Sequence, residues 1–347
     1  MINRETLDAL TLFEDIRDLS TLPGQAGVTR PSYSDVESRA LCRLIEWCET
    51  NRCGYTTDSV GNLWIGGLPT PETIVIGSHI DSVPNGGNYD GLAGIIAGML
   101  VMRRLASEHI PVVVLALRGE ESAWFGQCYK GSLALLGKLK PSPELITAAR
   151  SQQIDFEEML KNTPFLDSSC LRAFLEIHIE QGPHLEAHGC PLGVVEAIRG
   201  NVRVKLTAVG EANHSGTTPR DLRKDAVLAL AELLSLADQQ WESVLTKQQD
   251  LVFTCGVVQT DAAVHAVTRI PDTVTAAIEW RSVSSDALAG FGTWFSNCAL
   301  AVGKRRGVQF MFSDQRSTAP AVMGQRLSTH LMGACDADMV AARNLGQ

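Results

Sequence analysis

A dense polar stretch held between two apolar segments constrains this chain more than any other feature. Thr73-Ile74-Val75-Ile76 reads as a buried, parallel-type strand, and Leu92 to Leu105 is apolar over a length that suits a helix. Between them runs Gly77-Ser78-His79-Ile80-Asp81-Ser82-Val83-Pro84-Asn85-Gly86-Gly87-Asn88-Tyr89-Asp90-Gly91. A strand-to-helix crossover is where open α/β sheets place their ligands. His79 and Asp90 are therefore candidate metal ligands. Asp81 is spaced to accept the imidazole's other N–H and fix its tautomer. The plain alternative is a polar loop with one hydrogen-bonded histidine and two solvated aspartates.

Two later stretches carry related chemistry. Pro111 to Leu117 is almost wholly apolar and completes a right-handed β-α-β unit with strand 73–77 and helix 92–106. Arg118-Gly119-Glu120-Glu121 follows at once. Two adjacent carboxylates at a buried strand end are costly unless compensated. Neighbouring side chains diverge, so one carboxylate can meet a cation while the other faces a water; a solvated pair is the alternative. In Leu175-Glu176-Ile177-His178-Ile179-Glu180, alternation predicts a strand with Glu176, His178 and Glu180 on one side. That pattern suits either a metal ligand with orienting neighbours or a structural salt bridge.

The rest of the chain supplies the frame. Asp35 to Asn51 has helical spacing of Val36, Ala40, Leu44, Trp47 and Cys48, and Asp58 to Gly67 reads as a strand ending in glycines. Residues 140–170 read as a polar, helical connector. From Val202 the predicted elements are strands 202–209, 251–258, 273–280 and 308–312, with helices 221–239 (Asp221 as N-cap) and 285–304. That β-α-β-β-α-β order is the ferredoxin-like arrangement. At 347 residues two domains are expected: a catalytic portion 1–200, an inserted block 201–314 and a return 315–347.

Composition excludes several classes. A net charge of −9 and a pI near 5.4 argue against a nucleic-acid footprint, and no apolar run approaches a membrane span. The N-terminus is too acidic and polar for a signal peptide. Nine cysteines, an odd number without a Cys-x-x-Cys pair, predict reduced thiols and a cytoplasmic location.

Taken in order, these motifs resemble the M20 metallopeptidase-like amidohydrolases, in the branch of N-carbamoyl-L-amino acid hydrolases, allantoate amidohydrolases and β-ureidopropionases. The resemblance runs from about residue 5 to about 335 and rests on His79-Ile80-Asp81, Tyr89-Asp90-Gly91, Glu120-Glu121, Glu176-Ile177-His178-Ile179-Glu180-Gln181-Gly182 and Gly210 to Pro219. It implies an α/β fold: a mixed-sheet, zinc-peptidase-like catalytic domain with an inserted ferredoxin-like lid and dimerisation domain. It further implies two divalent metals (Zn, Mn, Co or Ni) bridged by Asp90, with His79 and His178 on one and Glu121 on the other. Glu120 would be the general base and His214 the oxyanion-stabilising histidine. Gln181, Asn213, Thr268 and Arg281 would bind a small ureido or carbamoyl carboxylate in a homodimer.

The chain departs from the family pattern in three places. Thr268 stands in Ala266-Val267-Thr268-Arg269-Ile270-Pro271 where relatives carry asparagine, and Arg118-Gly119 replaces a commoner Thr-Asn. Relatives also continue for roughly another 70 residues, about half an ordinary domain, to a histidine that completes the second metal site. His330 sits on what reads as an ordinary helix face and is not expected to replace it. The second site is therefore expected to be weak, and a poorly active ligand-binding remnant is the rival to an active amidohydrolase. An aminoacylase-like peptidase is disfavoured by His178.

Overall fold

The computed structural model describes residues 4–156, 158, 166, 171–264, 266–334 and 340–342. They fall into two units, Met1–Glu180 and Gln181–Gln347.

The first unit is built on a mixed sheet of strand order β1-β2-β4-β3-β5. Its helices and strands are α1 (Arg4–Ser20), α2 (Asp35–Thr50), β1 (Tyr55–Thr57), β2 (Leu63–Ile65), β3 (Ile74–His79), α3 (Leu92–Ala106), β4 (Val112–Leu117), α4 (Lys130–Leu135), α5 (Pro143–Ser151) and β5 (Ala173–Glu176). β3 is parallel to both β4 and β5, whereas β2 runs antiparallel to β4. Both faces are covered, which is why β4 carries no polar residue: Val112, Val114 and Ala116 pack with α1, α2 and α3, while Val113 and Leu115 pack with Trp64 and Leu135.

Three expectations shift here. The strand expected over Asp58–Gly67 is only Leu63–Ile65. Asp58 instead organises a turn, its carboxylate accepting from the amides of Val60 (3.0 Å) and Asn62 (2.9 Å) and from the Trp64 indole (3.1 Å). The strand expected through Glu180 ends at Glu176, and His178 turns its Nδ1 to the carbonyl of Ile179 at 2.8 Å. In the 140–170 connector the described helix is α5, started by Pro143 and capped by Ser142; residues 157, 159–165 and 167–170 lie outside the described set.

The second unit contains α6 (His184–Ala187), β6 (Leu192–Val194), β7 (Ala197–Ile198), β8 (Gly200–Val209), β9 (Asn213–His214), α7 (Ala226–Thr246), β10 (Val252–Thr260), β11 (Arg269–Ile270), β12 (Thr273–Ser282), α8 (Ser285–Arg306), β13 (Gln309–Thr318), β14 (Ala321–Val322), α9 (Gln325–Ala334) and β15 (Val340–Ala342). β8-α7-β10-β12-α8-β13 form an antiparallel sheet of order β10-β12-β8-β13, the ferredoxin-like arrangement. Alternate residues Val202, Val204, Leu206 and Ala208 of β8 face a core shared with α7 and α8. β6 and β7 pair with β15 and β14, so the segments just before and just after this block belong together.

The expected cap Asp221 is not the cap. Residues 220–222 form a single 3-10 turn, and Asp225 accepts the Leu228 amide at 3.0 Å to start α7 four residues later than expected. No described helix is long and apolar enough to cross a membrane.

The first unit also encloses a buried charge pair. Glu37, in the first turn of α2, is fully enclosed; it accepts from Tyr33 N at 2.6 Å, from the Gly119 amide at 3.1 Å and from Arg118 Nε at 2.7 Å. Removing one member of a buried pair strands the other charge. Glu37→Ala is expected to lower unfolding free energy by about 3–5 kcal/mol in denaturant titrations. A loss below about 1 kcal/mol, the range of an exposed pair, would show that Arg118 finds solvent without it.

Candidate metal centre and catalytic carboxylates

Parallel register assembles the site. His79 ends β3, and Gly77 of β3 pairs with Glu176, the last residue of β5, two residues before His178. His79 also pairs with Leu117, so Glu120 and Glu121 emerge at the same edge three and four residues later. The carboxyl ends of three parallel strands thus deliver the polar residues to one place.

Asp90 arrives from the opposite direction, at the start of α3. Gly91 before that helix has φ 64°, and a Cβ there would lie 2.2 Å from the His79 carbonyl. At Gly94 a Cβ would meet the Ile177 carbonyl at 1.9 Å, so this glycine lets α3 approach the segment that carries His178. The loop between His79 and Asp90 is braced by buried Arg30, whose Nε donates to the Ile80 carbonyl (2.8 Å) and whose Nη1 donates to Asn88 (3.2 Å).

The result is a convergence on one carboxylate oxygen. Asp90 Oδ1 lies 3.0 Å from His178 Nε2 and 3.4 Å from His79 Nε2, and the two Nε2 atoms are 3.4 Å apart. His79, Asp90 and His178 offer ligand atoms within 4.8 Å of one another, and so do His79, Glu120 and Glu121. Two imidazoles with a carboxylate form a donor set suited to a divalent transition metal.

Asp81 meets both His79 and the backbone of the paired glutamates. His79 Nδ1 is closer to the Asp81 backbone carbonyl (3.1 Å) than to its carboxylate (3.5 Å). The carboxylate accepts from the amides of Glu120 (2.9 Å) and Glu121 (3.1 Å) and from the Ser32 hydroxyl (2.6 Å). It therefore fixes the histidine and the paired glutamates together. Ser32, Glu37 and Asn62, whose Oδ1 accepts the Arg118 amide at 3.0 Å, complete a supporting shell that motif reading missed. One signal was present: Glu37 sits one helical turn before Leu41, on the apolar face of α2.

Charge is crowded. Burial, then the neighbouring Glu120, pushes the Glu121 carboxyl up to about 7. Burial also raises Glu120, opposed by His79. For His79 burial pulls downward, but hydrogen bonds to Asp81 and Asp90 prevail and hold it well above the usual range. His178 behaves alike, burial opposed by Asp90.

The remaining predicted residues lie in the second unit. His214 and Asn213 form β9, which pairs with Arg269 and Ile270, and the Thr268 carbonyl accepts the Ser215 amide at 2.8 Å, so these three share one patch. His214 Nδ1 accepts the Gly216 amide at 3.1 Å, leaving the proton of the neutral ring on Nε2. Arg281 lies elsewhere, on β12, with its Nε held by Glu279. Gln181 is exposed just before α6. His330 is exposed on α9 and bonds its own helix at the Arg326 carbonyl.

The family model described as Peptidase family M20/M25/M40 matches residues 75–337. The chain belongs to this family. It is 30% identical over 340 residues to allantoate amidohydrolase of Escherichia coli K12, covering 91% of this chain and 79% of that protein. It is 28% identical over 328 residues to N-carbamoyl-L-amino-acid amidohydrolase of Pseudomonas sp. NS671, covering 89% and 78%. Among solved structures, a hydantoinase/carbamoylase family amidase from Burkholderia phymatum is 26% identical with TM-score 0.78, over 98% of this chain and 86% of that one. The corresponding Burkholderia multivorans amidase shares the fold with TM-score 0.84 at 22% identity, covering 98% and 85%. Membership in M20 makes this chain a C–N hydrolase and implies divalent metal.

The raised groups give the pH dependence of ion binding its sign. His79 and His178 hold protons above their usual pH, and Glu121 does so up to about 7, so a cation must displace them. Zinc affinity measured by calorimetry is expected to fall on acidification from about pH 7.5 to about 5.5, with about one or more protons released per ion. His178→Ala is expected to lose the tight ion at both pH values. Equal affinity in the two proteins, or affinity independent of pH, would contradict the ligand set.

Proposed function

We propose that this protein hydrolyses a carbamoyl or ureido C–N bond of a small carboxylate substrate, with an N-carbamoyl-L-amino acid as first choice. The observation that carries the reading is the convergence of His79 and His178 on Asp90 beside Glu120, in a member of the M20 family whose relatives include N-carbamoyl-L-amino-acid amidohydrolase. Allantoate is the second reading, favoured by the 30% identity to allantoate amidohydrolase.

In this reading His79, Asp90 and His178 would hold one divalent ion, and Glu121, with Asp90 shared, would hold a second. Bound there, the ions supply Lewis-acid polarisation of the scissile carbonyl and lower the pKa of water toward neutrality. Among the described residues Glu121 groups with no imidazole other than His79, which the first ion would use, so zinc-like ions would bind the first group more tightly. About one tightly held ion per chain follows.

Glu120 takes the proton of the attacking water and returns it to the leaving nitrogen as the C–N bond breaks. Its raised carboxyl suits both transfers. Asp81 keeps its backbone in place through the 2.9 Å amide bond. His214 donates Nε2–H to the developing oxyanion, the tautomer its Gly216 contact favours. Arg281 turns the outer guanidinium nitrogens to the substrate carboxylate while Glu279 holds Nε. Asn213, Thr268 and Gln181 add polar contacts. The βαββαβ block serves as lid and homodimer interface.

Glu120→Gln keeps the shape of the side chain and removes its capacity to take a proton. Turnover of N-carbamoyl-L-amino acids and of allantoate is expected to fall about 10²–10⁴-fold, with ion content nearly unchanged. Unaltered turnover would make Glu120 a spectator. Faster turnover of allantoate than of every carbamoyl amino acid would select the second reading.

A further inference from the structure

Lys130 opens α4 and is completely enclosed, with 0% exposure. An ammonium has three N–H donors and no acceptor, so burying it is costly unless each donor is used. Here Nζ donates to the carbonyls of Glu121 (2.8 Å), Trp124 (3.2 Å) and Gln127 (2.7 Å). All three acceptors belong to one loop, the one that follows β4 and carries the paired glutamates.

That loop has little regular structure of its own. Phe125 (φ 64°), Gly126 (φ 66°) and Tyr129 (φ 61°) are left-handed, a conformation that Phe and Tyr keep only when their surroundings enforce it. Backbone bonds close the neck: Tyr129 N to Glu120 O and Lys130 N to Gly119 O, both 2.8 Å, and Gly131 N to Arg118 O, 3.0 Å. The Trp124 indole ties the loop to the Ser82 carbonyl at 2.7 Å, beyond Asp81. Between neck and tip, Lys130 gathers the carbonyls.

We infer that Lys130 is a positioning residue for hydrolysis: its buried ammonium holds the turn from which Glu120 and Glu121 face His79. The kinetic part of this inference rests on the hydrolase reading above; the structural part does not. Lys130 acts through the backbone of Glu121, whose carbonyl it holds.

Lys130→Met keeps the side chain as far as Cε and removes every donor. Its kcat is expected to fall about 10²-fold while KM changes less than about threefold, as for a misplaced catalytic group. Hydrogen exchange of amides 121–128 is expected to accelerate about tenfold or more, with peptides of α3 unchanged. Cobalt titrated into the His79–Asp90–His178 group should bind within about threefold of the wild-type affinity. Lys130→Gln, which retains two donors on a shorter stem, should fall between wild type and Lys130→Met in both kcat and exchange. Unchanged exchange with kcat within about twofold of wild type would overturn the inference. Global unfolding of both variants would also overturn it, because the lysine would then be a core residue of the whole unit. If the wild type hydrolyses neither substrate, the hydrolase reading fails, while exchange and cobalt binding still test the positioning role.

Discussion

The parallel pairing of β3 with β4 and β5 is the constraint on which the site depends. A shift of one residue in either pairing would move the strand ends from which His178 and the glutamates leave the sheet. The apolar runs on both faces fix that register through burial, with Ile76 and Val114 on one side and Val75 and Val113 on the other. The same register that packs the core therefore sets the geometry of the chemistry at its edge.

Burial at that edge requires polar compensation, and the chain supplies it in a connected way. Asp81 satisfies both glutamate amides, Glu37 satisfies Arg118 and the Gly119 amide, and Lys130 satisfies three carbonyls of the following loop. Each of these groups would be costly alone in a low-dielectric interior. Together they hold Glu120 close enough to Glu121 to raise the affinity of Glu121 for protons, while burial raises that of Glu120, which suits a base that must also return a proton.

Much of the fold was legible because its signals are local. Apolar runs marked β3, β4 and α3 almost to the residue, and alternation marked β8 and β12. His79, Asp90, Glu120, Glu121 and His178 could be singled out because each lies at, or within four residues of, a strand or helix end that the apolar runs mark. The misses have long-range causes. Asp58 reads as part of a strand, and Asp221 as the cap in place of Asp225, because a carboxylate that caps a turn or helix leaves no hydrophobic period. Arg118, read as a mild departure from the family pattern, is the buried partner of Glu37, 81 residues away. Lys130 gave no signal, since nothing local says that its three acceptors lie on its own preceding loop.

His79, Asp90 and His178 are the residues proposed to hold a divalent metal at the sheet edge. Anomalous diffraction at the absorption edge of a bound ion tests this most directly. The account predicts a peak about 2.0–2.2 Å from His79 Nε2, His178 Nε2 and a carboxylate oxygen of Asp90. A peak placed elsewhere, or no peak in crystals grown with excess zinc or manganese, would contradict it.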